Sequence, residues 1–216
     1  SAKVAEDKIL GPVDDGDTVV LPGNVYPLAR PEFDAGPASL ALPMQRMILT
    51  FKLAPERQAE LDALLARQQD PSSPDFHRWL TPGEFGARFG PSQHDLGAVT
   101  EWLRSQGFAV DAVAKGRTWI NFSGTVAGVE RAFRTRMHDY LVNGVPHHAN
   151  ADDPSIPRAL APVVAGVVSL HDFRREAMHT PLQAVTAQVP RPEYTSGSAH
   201  YLAPADFATI YDSAPL

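Results

Sequence analysis

The chain has 216 residues, no cysteine, 44% apolar residues and a formal net charge of −6. That length allows one or two domains, and the missing cysteines exclude disulfides, thiol catalysis and cysteine metal sites without identifying a compartment. Residues 1–40 carry three basic and seven acidic side chains, residues 41–173 thirteen and fourteen, and residues 174–216 three and four. No segment has the basic excess that phosphate backbones demand, which argues against nucleic-acid binding, and no apolar run approaches the ~20 residues of a membrane span.

Residues 1–41 are rich in Pro, Gly and Asp, including Asp14-Asp15-Gly16-Asp17, and read as an extended arm with a short strand at Thr18–Leu21. Met44–Leu53 alternates well enough for a strand. Pro55 then opens a helix with Ala59, Leu61, Leu64 and Leu65 on its inner side, and Asp70-Pro71 stops it. Thr81-Pro82-x-Glu84 is a capping box with Pro at the first helical position, and Ser92-x-x-Asp95 repeats the device with a shorter acid. These signals predict helices over Pro82–Phe89 and Gln93–Gln106, with Phe76, Trp79, Leu80, Phe85 and Phe89 as an apolar cluster beside them.

Phe108–Ala114 and Thr118–Ser123 are predicted strands joined by a Lys115-Gly116 turn, and Thr125 caps a helix running through Phe133. Asn143-Gly144 is a type I′ hairpin signal between strands Met137–Val142 and Val145–Ala149, and Val163–His171 closes the set. The order is that of the split βαβ, ferredoxin-like α+β pattern: an antiparallel sheet with helices on one face and the other face available to a partner. Trp79, Trp102 and Trp119 all fall on expected core faces. From Arg174 the apolar period disappears, and residues 174–199 read as an extended, accessible linker.

The capping-box segment Pro71–Arg104 resembles the activation-domain signature of the sedolisin, or serine-carboxyl peptidase, family of the kumamolisin type. Gly107–Val110, Gly116–Thr125, Val129–Phe133, His138-Asp139-Tyr140, Asn143-Gly144, His147–Asn150 and Ile156-Pro157 continue the resemblance in the family's order. It implies a pro-domain over residues 42–173, an activation linker over 174–199, and the start of a mature peptidase segment over 200–216. It also implies secretion, although Ser1–Lys8 lacks the apolar core of a signal peptide.

Peptidases of this family use a Ser nucleophile in a Gly-Thr-Ser run, with Glu and Asp four residues apart as general base and its orienting carboxylate. Carboxylates still titrate in acid, where imidazole is already protonated. None of the nine Glu residues here has Asp at i+4, and no Gly-Thr-Ser run occurs. Ser123-Gly124-Thr125 reads as a turn and helix cap. The expected catalytic set in this chain is therefore none. The calcium loop of the family's peptidase domain also has no counterpart, so no cofactor or metal is expected. His147-His148 lacks a third ligand, and Asp14–Asp17 lacks the rest of an EF-hand.

The expected role is that of a tethered inhibitor and folding template whose partner is a cognate sedolisin peptidase domain, in cis or as a separate chain. The inhibitory and processing segment would comprise His171, Asp172, Phe173, Arg174, Arg175, Glu176 and His179. Among eight histidines that gain charge below about pH 6.5, His171 and His179 are the expected pH sensors. Arg117, Arg131, Arg134 and Arg136 are the candidate interface cations, with a solvated surface as the alternative. Two other readings stay open: a non-catalytic chain of a two-chain peptidase, and a stand-alone protease-binding module.

Overall fold

The structure is a computed structural model that describes residues 5–173 and two further strands at 193–196 and 199–202. The chain passes through strands Thr18–Val20 (β1) and Asp34–Pro37 (β2) into the long strand Pro43–Phe51 (β3). Helices Pro55–Gln69 (α1), Pro82–Phe89 (α2) and Gln93–Ser105 (α3) follow. Strands Ala109–Val113 (β4) and Trp119–Thr125 (β5) precede helix Val126–Phe133 (α4). Then come hairpin Met137–Val142 (β6) and Val145–Asn150 (β7), and strands Ser155–Pro157 (β8) and Val164–Val168 (β9).

Helix starts follow from their caps. Thr81 Oγ1 accepts from the Glu84 N–H at 3.3 Å while Glu84 Oε2 accepts from the Thr81 N–H at 2.8 Å, which completes the capping box of α2. Ser92 Oγ and Thr125 Oγ1 likewise accept from the Asp95 and Gly128 N–H groups. Asp95 does not reach back to its own cap. Its buried carboxylate accepts from the Lys8 and Ile9 N–H groups and so ties the arm to α3. In α1 the buried positions are Leu64 and Gln68, whereas Ala59 and Leu65 are exposed. The expected apolar stripe is displaced because the Gln68 side chain donates to the Arg78 carbonyl and because Glu60 pairs with Arg57 and Arg88.

The main sheet has the order β4-β5-β3-β9, all antiparallel, as the ferredoxin-like pattern requires. Alternation divides it into two faces. Met47 lies opposite Phe122, and Leu49 opposite Ile120 and Val167; these side chains are buried with Val99, Trp102 and Leu103 of α3 and Val126, Val129 and Phe133 of α4. Phe108 meets Phe122 edge-on at 5.1 Å, and Trp102 meets Phe133 at 5.5 Å, the geometry aromatic quadrupoles favour. On the other face Ile48 lies opposite Asn121 and Val168, and Thr50 opposite Trp119.

Three features go beyond the expected pattern. The β6–β7 hairpin leaves the main sheet and pairs with β2 in a second sheet, and β1 pairs with β8. The arm is therefore built into the domain: Ile9 and Leu21 are buried in its core, Asp15 accepts from Trp102 Nε1, and Asp17 pairs with Arg158. Trp119 is 38% exposed and Trp79 62%, so of the three tryptophans only Trp102 is core. Trp119 sits on the face that no described helix covers, and Trp79 stacks on His77. Residues 175–216 form a separate unit, described only as strands Glu193–Ser196 (β10) and Ala199–Leu202 (β11), an antiparallel pair. This pair spans the expected boundary between linker and mature segment.

Two glycines test this packing. A Cβ on Gly124 would stand 2.5 Å from the Phe108 ring, which is itself held by Phe122 and Phe133. A Cβ on Gly97, inside α3, meets nothing. Urea unfolding is expected to show Gly124→Ala losing about 1–3 kcal/mol, and Gly97→Ala gaining about 0.5–1 kcal/mol.

Candidate functional site

Two neighbouring features carry the site: the sheet face that no described helix covers, and the segment 171–173, the root of the expected linker. Across the face, Ala112, Asn121, Ile48 and Val168 form one cross-strand row, with Trp119 and Thr50 in the next. Val168 is 45% exposed and Trp119 38%. Asn121 Oδ1 is buried in this row without a hydrogen-bond partner in the protein. Apart from Asn121 the row is apolar, and an apolar row left partly exposed suits a packed partner better than water. The β9 edge is capped from the arm, where Asn24 Oδ1 accepts from the Val167 N–H at 3.1 Å.

At the linker root the backbone is held in unusual conformations. Ser169, just after β9, has φ 64°, and Arg46, at the bulge of β3 between Met44 and Met47, has φ 59°; both are left-handed values that cost energy for residues with a Cβ. Arg46 and Ser169 line an open cleft of about 490 Å³ with His148 and His171.

Asp172 then docks on β7. Its N–H donates to the His148 carbonyl, and its Oδ1 accepts from the His148 N–H at 2.9 Å. The Nδ1 atoms of His147 and His148 stand 3.2 and 3.4 Å from the same carboxylate. Phe173 stacks on Tyr26 at 4.7 Å and on His147 at 4.2 Å. His171 lies 4.2 Å from the Tyr26 ring, and its Nδ1 is buried without a hydrogen-bond partner. Burial holds the His171 imidazole below its ordinary value of 6.5; Asp172 opposes that shift and His148 reinforces it.

His171, Asp172 and Phe173 are thus brought together with His147, His148 and Tyr26. Sequence reasoning missed these three partners. The histidine doublet was visible as a motif, but nothing in its spacing points to Asp172, twenty-four residues on from His148, and Tyr26 carries no local signal at all. Arg174, Arg175, Glu176 and His179 lie outside the described residues.

The four candidate interface arginines are already engaged within the chain. Arg117, Arg131 and Arg134 donate to the Pro91, Gln106 and Asp15 carbonyls, and Arg136 holds Asp152 through two hydrogen bonds. Asp7, His94 and Asp95 place ligand atoms within 4.8 Å of one another, but Asp95 already accepts from two arm N–H groups. No helix among the described residues is long and apolar enough to cross a membrane.

The lowered His171 value fixes the sign of a pH effect. The unfolded chain takes up this proton more readily than the folded one. The stabilisation from neutral His171 is therefore complete above about pH 6.5 and is lost as the pH falls through the folded-state value. Chemical denaturation from pH 7.5 to 4.5 should show a smaller acid-induced loss of stability in His171→Phe than in the unsubstituted chain. Identical slopes would remove His171 from the acid response.

Comparison with known proteins agrees with this architecture. The model of the family described as "Pro-kumamolisin, activation domain" matches residues 37–173. Xanthomonalisin of Xanthomonas sp. (strain T-22) is 32% identical over 160 residues, which cover 72% of this chain and 19% of that protein. Sedolisin of Pseudomonas sp. (strain 101) is 28% identical over 167 residues, 77% of this chain and 28% of that protein. Tripeptidyl-peptidase sed1 of Aspergillus fumigatus is 26% identical over 153 residues, 62% of this chain and 24% of that protein. The chain thus spans between just under a fifth and just over a quarter of the length of these relatives. The match runs from the end of β2 to Phe173, so that it closes at the linker root, and the chain belongs to the pro-kumamolisin activation-domain family.

Proposed function

We propose that this chain is the pro-region of a secreted, acid-active serine-carboxyl endopeptidase, serving as its folding template and its pH-released inhibitor. The observation that carries this reading is the two-faced main sheet, one face filled by α3 and α4 and the other left as an apolar row around Asn121. A peptidase surface packed on that row would bury Ile48, Trp119 and Val168, and a donor from it would satisfy Asn121 Oδ1. The names of the relatives, a sedolisin and a tripeptidyl-peptidase among them, supply the partner's class.

Docked in this way, the domain would deliver Arg174 and the residues after it to the catalytic cleft, where an extended segment binds by backbone hydrogen bonds. A short tether sets an effective concentration of ~mM, so modest affinity is enough to silence the enzyme. The chain itself would be non-catalytic and need no cofactor; the reacting residues and the calcium would belong to the peptidase domain. Arg117, Arg131, Arg134 and Arg136 would contribute to the interface only by giving up their internal acceptors.

Release in acid would begin at the linker root. His171 faces Tyr26 of the arm, and Arg46 of β3 and His148 of β7 share its cleft, with Asp172 beside it. A proton on His171 would put a cation against Tyr26 with no acceptor at its buried Nδ1. The root would loosen and expose the linker to processing.

The test is to add the purified chain to an active sedolisin-type peptidase at pH 7 and at pH 4. Inhibition at pH 7 that falls at least tenfold at pH 4 is expected, with the processing pH displaced when His171 and His179 are both replaced by Gln. Peptide hydrolysis by the chain alone would overturn the reading outright, and no affinity for the peptidase at pH 7 would overturn it in favour of a stand-alone module.

A further inference from the structure

Outside the main core lies a second apolar cluster built from three separate stretches of sequence. Tyr140, Val142 and Ala149 come from the β6–β7 hairpin, Phe173 from the linker root, and Tyr26, Leu28, Ala29 and Phe33 from the arm. Phe173 enters it as the last residue before Arg174, through the stacks on Tyr26 and His147.

The arm segment that covers Phe173 is anchored on both sides. Upstream, Leu21 is buried in the main core, Asn24 accepts from Val167 and from Asn150, and the Gly23 and Asn24 N–H groups donate to Asp153. Downstream, β2 pairs with β6. The loop between them is a short span stretched over the root, with its Tyr26 ring against both His171 and Phe173.

We infer that the arm residues from Tyr26 to Phe33 are a clasp that holds His171, Asp172 and Phe173 on the β6–β7 hairpin, so that the N-terminal part of the chain governs how readily this segment opens to a protease. The cluster is small and separate from the main core, so it is expected to open at lower free energy than the sheet beneath it. Cleavage at the root would then follow the population of the opened clasp rather than global unfolding. The consequence for activation rests on the pro-region reading; the clasp itself does not, and it is tested without any sedolisin.

The experiment uses the full chain at pH 7.5 with trypsin as the probe, following cleavage after Arg174 and Arg175 by mass spectrometry. Tyr26→Ala is expected to speed cleavage at these two bonds about tenfold, while Tyr26→Phe, which keeps the ring stack, stays within about twofold of the parent. Hydrogen exchange at the Asp172 and His148 amides should rise in parallel in Tyr26→Ala, with the Leu49 and Phe122 amides unchanged. Unaltered cleavage and exchange in Tyr26→Ala would overturn the clasp, as would an equal rise at Leu49 and Phe122, which would mean that the ring only supports the whole fold. A parent chain that fails to inhibit a sedolisin would sink the pro-region reading and leave the trypsin result standing.

Discussion

Everything in this domain depends on filling one face of a four-stranded sheet. Phe108, Phe122, Phe133 and Trp102 interlock there beneath α3 and α4, and burying each such side chain is worth roughly 1.5–3 kcal/mol. Both helices are consumed by that face. Among the described residues no helix packs on the opposite one, where Trp119 and Val168 stay partly in water. The same packing that stabilises the fold therefore creates its unpartnered surface.

The arm is held differently. Its ion pairs, such as Asp17 with Arg158, are exposed, and pairs of that kind contribute ~0–1 kcal/mol. The firmer hold comes from burial of Ile9 and Leu21 and from backbone pairing of β1 with β8 and β2 with β6. This places the arm, through Tyr26, against the segment 171–173. Such a contact couples the order of the arm to the exposure of that segment.

Much of this was legible in the residues. Thr81-Pro82-x-Glu84 set the start of α2, Asn143-Gly144 set the β6–β7 turn, and alternation in β3 and β5 gave the sheet its two faces. What escaped was set by distant contacts. Asp34–Pro37 and Ser155–Pro157 are too short to show a period, and each becomes a strand through a partner more than 100 residues away in sequence. Trp119 looks like core because tryptophan usually is, but β5 turns it to the open side. The carboxylate of Asp172 finds two histidines only because the segment after β9 docks on β7.

The most direct measurement of the central claim compares two substitutions on opposite sides of the sheet. Affinity for a sedolisin-type peptidase at pH 7 would be determined for Val168→Asp, on the open face, and for Arg131→Ala, on α4 at the covered face. The account predicts that Val168→Asp weakens binding at least a hundredfold while Arg131→Ala stays within about threefold, with the far-ultraviolet circular dichroism of both unchanged. Full affinity in Val168→Asp, or a large loss confined to Arg131→Ala, would contradict it.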